Sequence, residues 1–155
     1  MTLPAEMIER LRQSGIRVDR EGEFLHEGAP VTHQGLREAL FRWLDRLPDG
    51  RHVLRLDAQR FAYVDVTDTP LVARGARLAG ETIWVALSDG SEEMLDPATL
   101  TIDPSGVLRC RVRDGRLEAR LANSAVAALA ERIEGDPGHP VLRLGDRRLP
   151  IAPRA

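Results

Sequence analysis

Five arginines crowd one short stretch of the chain: Arg109, Arg111, Arg113, Arg116 and Arg120. Arg109, Arg111 and Arg113 alternate with Leu108, Cys110 and Val112, the period of a strand with one wet and one dry face. Asp114-Gly115 is a hairpin-turn pair, and Leu117, Ala119 and Leu121 carry the apolar face back. All five guanidinium groups are therefore expected on one side of a hairpin over residues 108–121, with only Glu118 among them. A guanidinium fork grips phosphate or carboxylate through paired N–H donors. Like charges facing one another across a hairpin repel, so something must offset them. The expectation is a covered face, with Glu92, Glu93 and Asp96 of the preceding loop as the covering acids. Nucleic acid is disfavoured as a partner because this hairpin carries no aromatic side chain for base stacking.

Other residue types point to chemistry less sharply. Asp89, Glu92, Glu93 and Asp96 form an acidic loop that lacks the D-x-[DN]-x-[DN]-G order of a calcium site, and it is read as solvated. His26-Glu27 and His33 lack the spacing of a zinc motif and flank the turn residues Gly28 and Pro30, so no metal is expected. Cys110, the single cysteine, falls on the apolar face and is expected to be buried and inert. No G-x-S-x-G elbow and no glycine-rich phosphate loop is present, and no cofactor is implied.

The chain has 155 residues, enough to bury a core without disulfides or metals. A formal net charge of −2 gives no global pull toward nucleic acid or an anionic membrane. All basic residues apart from histidine are Arg, a usage that fits a GC-rich bacterial genome. No stretch approaches the ~18 apolar residues of a membrane span, and Met1 to Gly15 has no apolar run of signal-peptide type. The expected location is the cytoplasm.

The elements that must position these residues alternate short strands with two helices. A first helix is expected over 4–14, with Pro4 in its first turn and Gly15 as its stop. Ile16-Val18 and Phe24 read as a hairpin around Gly22. Thr32 is the expected cap of a helix running to Leu47, with Leu36, Leu40, Trp43 and Leu44 along its apolar stripe. Strands follow at 53–57 and 61–66, then at 71–78, 82–87, 100–102, 108–112 and 117–121. Asn123 is the expected cap of a helix to Glu134, and strands at 141–144 and 149–151 close the chain. Phe24, Leu36, Leu40, Leu44, Leu108, Cys110, Leu129 and Ile133 are the predicted core.

The two halves echo each other. Val18-Asp19 with Gly22 and Phe24 matches Ile102-Asp103 with Gly106 and Leu108. A helix follows in each half, then Pro48-Asp49-Gly50 against Asp136-Pro137-Gly138, then Val53-Leu54-Arg55-Leu56 against Val141-Leu142-Arg143-Leu144. The pattern predicts an α+β fold of two related β-hairpin–helix–β-hairpin units with mainly antiparallel sheets, after a short N-terminal helix. The expected division is residues 1–69 and residues 70–155, packed as one compact body.

Residues 15–71 resemble the bacterial domain-of-unknown-function family 1285 (DUF1285). The resemblance rests on Gly15-Ile16-Arg17-Val18-Asp19-Arg20-Glu21-Gly22-Glu23-Phe24, on Gly28-Ala29-Pro30-Val31, and on the Leu-rich stretch 36–47. Asp49-Gly50 and Val66-Thr67-Asp68-Thr69-Pro70 extend it. Past Pro70 the family's T-N-x-x-D loop is replaced by Leu87-Ser88-Asp89-Gly90-Ser91. The resemblance implies a repeat-built α+β protein and leaves the activity open.

These observations favour a non-enzymatic module that binds a protein or a small ligand in a regulatory role. Arg109, Arg111, Arg113, Arg116, Arg120, Asp68 and Asp89 are the candidate binding residues. One alternative is an enzyme in which Asp65, Asp68, Asp89, Glu92 and His26 converge only in three dimensions. The other is nucleic-acid binding through the hairpin 108–121. The oligomeric state is left open.

Overall fold

The computed structural model describes residues 5–6 and 12–154. The chain is mixed α+β, dominated by antiparallel strand pairs, and divides into two compact units, Met1–Pro70 and Leu71–Ala155. Among the described residues no helix is long and apolar enough to cross a membrane.

The first unit holds one six-stranded sheet in the order β3-β2-β1-β6-β5-β4. Its strands are β1 (Gln13–Val18), β2 (Phe24–His26), β3 (Ala29–Pro30), β4 (Leu44–Arg46), β5 (His52–Arg55) and β6 (Phe61–Val66). Neighbours run antiparallel except β1 and β6, which are parallel. The helix α1 (Gln34–Trp43) packs on β5 and buries Leu40 and Phe41, while Phe24 meets Phe41 edge-on with centroids 4.7 Å apart.

Several expectations change here. Ala5 and Glu6 are helical, but most of the predicted 4–14 helix lies outside the described residues, and Gln13 is already in β1. Gly15 is no helix stop. It sits at φ +71° in a bulge of β1, where the Ser14 hydroxyl donates to the Tyr63 carbonyl at 2.5 Å and accepts from the Ile16 amide at 3.1 Å. The cap of α1 is His33 and not Thr32, because His33 Nδ1 accepts from the Leu36 amide at 3.1 Å. The helix ends at Trp43 instead of Leu47, since Leu44 turns extended and pairs with Leu54. Leu36 is 43% exposed and is not core.

The second unit has two sheets. Seven strands run in the order β16-β10-β11-β12-β7-β8-β9. They are β7 (Leu71–Ala79), β8 (Thr82–Leu87), β9 (Glu92–Met94), β10 (Thr101–Ile102), β11 (Leu108–Val112), β12 (Leu117–Leu121) and β16 (Ala152–Pro153). The pairs β7–β12 and β10–β16 are parallel. A three-stranded antiparallel meander joins β13 (Ile133–Glu134), β14 (Val141–Leu144) and β15 (Arg147–Pro150). The helix α2 (Asn123–Leu129) packs against β7 and buries Ala125 and Leu129.

The second helix is shorter than predicted. It gives way to a 3-10 turn at Ala130–Arg132, and Ile133 enters β13 and is half-buried. Asn123 is the first helical residue, with Ala122 at the cap position. Part of the acidic loop is strand β9.

One turn geometry occurs in both units. Asp19 Oδ1 accepts from the Glu21 and Glu23 amides at 3.0 and 2.9 Å, and Gly22 turns at φ +86°. Asp103 Oδ1 accepts from the Ser105 and Val107 amides at 2.9 and 3.0 Å, and Gly106 turns at φ +90°. In each unit the strand before the turn pairs in parallel with a strand that comes after the helix. Val18 lies beside Val66, and Ile102 beside Pro153.

Candidate functional site

The arginine hairpin is β11–β12, closed by Asp114 at φ +58° and Gly115 at φ +79°. Leu108, Cys110, Val112, Leu117, Ala119 and Leu121 are all buried, so the apolar face is as the alternation predicts. The arginine face is largely self-neutralised. Arg109, predicted on a wet face, is 6% exposed and its Nη1 binds Asp103 Oδ2 at 2.8 Å. Asp103 is reached from Arg109 because its turn directly precedes β11. Hydrogen bonds from Ser105 first, then Arg109 and the Val107 amide, hold the Asp103 carboxyl far below its ordinary value.

Arg113 stands at φ +52°, a conformation side chains other than glycine rarely take. Two acids hold it there. Its Nη2 binds Asp89 Oδ2 at 2.9 Å, and its amide donates to Glu93 Oε1 at 2.9 Å. Burial works against ionising Asp89, but bonds from Ser91 and Arg113 outweigh it and lower the carboxyl. Arg111 pairs across the hairpin with Glu118. Burial likewise opposes the Glu118 charge; the Arg154 fork at 2.8 and 3.1 Å, with the nearby Arg111 and Arg109 charges, lowers it nonetheless. Arg120 is half-buried opposite Arg109, and Arg116 is exposed, with Nε on the Arg113 carbonyl at 3.3 Å.

The covering acids differ from those predicted. Glu93 does reach the hairpin, but Glu92 binds Arg77 at 2.8 Å and Asp96 caps the 3-10 turn Pro97–Thr99 through the Ala98 amide. Asp89 and Asp103 take their places.

The remaining candidates are placed as follows. Burial first, then Glu93 and Glu118, pushes the Cys110 thiol up to about 12, so it stays protonated. Among the described residues no group of three or more His, Cys, Asp or Glu is arranged to hold a metal. His33 is spent on its helix cap, and His26 is exposed at the end of β2. Asp65 is exposed on β6 beside Arg17 of β1, and Asp68 is half-buried in the segment after β6.

Sequence reasoning missed two clefts. One, of about 660 Å³, lies in the second unit between the Asp103–Gly106 turn and the loop 134–140. Ile102, Ile133, Pro104 and Pro140 line it, with Asp103, Glu134 and Arg154 as charged walls. Glu134 is held by Arg143 and Arg148 at 2.5 and 3.0 Å. The second, of about 310 Å³, lies in the first unit and is lined by Gln13, Arg51, His52, Tyr63 and Asp65. Beside it Phe61 and Tyr63 meet edge-on at 5.9 Å, with Arg12 3.9 Å and Arg55 5.8 Å from the Phe61 centroid and Arg51 4.6 Å from that of Tyr63.

A DUF1285 family protein from Silicibacter pomeroyi DSS-3 superimposes on this chain with a TM-score of 0.74 at 20% identity, covering 91% of this chain and 81% of that one. The chain has the DUF1285 fold. A DUF1285 family protein from Shewanella baltica OS155 gives a TM-score of 0.63 at 15% identity, over 75% of this chain and 90% of its own. No protein-family model and no curated protein matches the sequence. The DUF1285 likeness read from residues 15–71 therefore holds for the fold and extends well past Pro70.

Proposed function

We propose that the chain is a DUF1285 family protein built by duplication of one α+β unit, and that it works as a non-enzymatic binding module. Duplication is supported by the two aspartate turns, by the helix placed after each, and by matching strand registers. Leu44 faces Leu54 in one unit, and Ile133 faces Leu142 in the other. An acid–arginine pair recurs at the same register, Asp45–Arg55 at 3.2 Å and Glu134–Arg143 at 2.5 Å.

The observation that carries the binding reading is the cleft between the Asp103 turn and the loop 134–140. Its volume, about 660 Å³, suits one small ligand, and its walls combine apolar side chains with a few fixed charges. Arg109, Arg143 and Arg148 serve as its frame, since they hold Asp103 and Glu134 of its walls. Arg113 and Asp89 bind each other and are not among the residues that line the cleft.

The test is an amide-shift NMR screen of the full chain with amino acids, amines, sugars and dicarboxylates. A ligand of the cleft shifts amides at 102–106 and 133–138. Gly138→Trp fills the cleft from a position where a Cβ meets nothing within 4 Å, so it should remove the shifts without lowering Tm. Shifts that survive Gly138→Trp would overturn the reading.

A further inference from the structure

We infer that the first unit carries a second, independent site, for a nucleotide unit: a planar base bearing a phosphate. The rings are the first reason. Phe61 and Tyr63 are two residues apart on β6, so they share one face of the sheet, and both are half-buried. Val64 on β6 and Leu54 on β5, which α1 packs on, are buried on the opposite face, while on the ring face Val53, paired with Tyr63, is buried too. The rings therefore are not the fill of the helix–sheet core. An aromatic pair on a sheet face is a stacking platform for bases, because every base offers a π-face.

The second reason is where the cations stand. Arg12, Arg51 and Arg55 come from three separate places in the chain, yet all three guanidinium groups gather over these two rings. Arg55 lies directly across from Phe61 in the β5–β6 register. Arg51 and Arg55 meet Asp49 and Asp45 through Nε, and the Arg51–Asp49 pair is about half exposed on both sides. Exposed pairs of this kind contribute about 1 kcal/mol or less, so a phosphate can take the place of the carboxylate. Asp65 in the cleft is suited to accept from the amino group of a base.

The third reason is a contrast inside the molecule. In matching register of the second unit, Arg148 stands where Phe61 does and Pro150 where Tyr63 does. There the cations close on Glu134 and no ring platform forms. At this register it is the first unit that sets rings beneath its arginines; Arg77 over Trp84 in the second unit lies on other strands, β7 and β8.

The test measures binding to the full chain by fluorescence anisotropy and competition, at about 50 mM salt, where electrostatic contacts are strong. The probes are a mixed single-stranded RNA of about ten nucleotides, guanosine and adenosine monophosphate, and inorganic phosphate. RNA or a monophosphate should bind. Arg51→Glu and Tyr63→Leu should each weaken binding about tenfold, the value of one lost stacking or phosphate contact. Arg116→Glu on the exposed hairpin turn should leave it unchanged. If Tyr63→Leu fails to fold, Arg51→Glu decides, because Arg51 is exposed. Binding of monophosphate assigns a free nucleotide, and binding of RNA alone assigns a strand; either supports the site. No binding of either probe overturns the inference. So does phosphate competing as well as a nucleotide, or Arg116→Glu weakening binding as much as Arg51→Glu.

Discussion

The two units surround matching arginines with different neighbours. In the second unit arginine meets carboxylate: Arg109 with Asp103, Arg113 with Asp89, Arg143 and Arg148 with Glu134, Arg154 with Glu118. In the first unit Arg51 and Arg55 also meet carboxylates, Asp49 and Asp45, but together with Arg12 they lie over the rings of Phe61 and Tyr63 as well. The strand registers around these groups match, so the difference lies in side chains and not in backbone. A charge already answered by a buried or half-buried acid organises the fold. A charge whose carboxylate partner is exposed, as in the Arg51–Asp49 pair, is held only weakly by it. Counting arginines along the chain locates the first kind and overlooks the second.

The comparison can be broken most forcefully through the helices. Leu40 of α1 and Leu129 of α2 are 3% and 0% exposed and occupy corresponding turns. Leu40→Ala and Leu129→Ala should each cost about 2–5 kcal/mol in chemical denaturation. A midpoint near that of the wild type for either would show that the helix anchors only one unit.

Glycine turns give a smaller, asymmetric effect. Gly135 has φ +93°, and a Cβ there would sit 2.7 Å from the His139 carbonyl oxygen. Gly50 has φ +95° but open space. Gly135→Ala should cost ~1–3 kcal/mol, and Gly50→Ala about 1 kcal/mol, the cost of the left-handed backbone alone. Equal losses would mean the 134–140 loop relaxes freely.

The aspartate turns sharpen the contrast through pH. Asp103 is depressed well below 3.8, its ordinary value, so its contribution is fully present above that pH and is lost as acid protonates the folded form. Asp103→Asn keeps an acceptor for the turn amides and removes the charge facing Arg109. Its Tm deficit should be clear at pH 7 and should vanish on titrating well below pH 3.8. Asp19→Asn, whose carboxylate meets no arginine among the described residues, should show the smaller deficit. A pH-independent deficit for Asp103→Asn would remove the ion pair from the account. The smallest effect belongs to Arg111→Glu, which sets like charges opposite each other at Glu118 and should cost ~0.2–1 kcal/mol.

Much of the fold is legible in the residues, and the reasons for the rest are local. The strand Thr82–Leu87 and the strand Val141–Leu144 fall where alternation and flanking turns put them. Helix ends depend on contacts that residue spacing does not carry. Leu44 continues the helical spacing of Leu36 and Leu40, but its burial is satisfied from β4. Leu36 shares the stripe and still lies exposed, because it sits in the first turn of α1. Alternation alone put Arg109 in water. The signal to the contrary is Asp103 six residues earlier, in a turn that returns the chain alongside β11. The ring cluster had no local signature, since Arg12, Arg51 and Arg55 meet Phe61 and Tyr63 only through sheet pairing.

The central claim is that the arginines over Phe61 and Tyr63 bind a ligand, while those of the hairpin 108–121 hold the fold. Amide-shift mapping of the full chain with single-stranded RNA at low salt tests it most directly. The account predicts shifts confined to the first unit, at residues 51–55 and 61–66, with the hairpin 108–121 unmoved. Shifts centred on 108–121, with 51–55 and 61–66 silent, would contradict it.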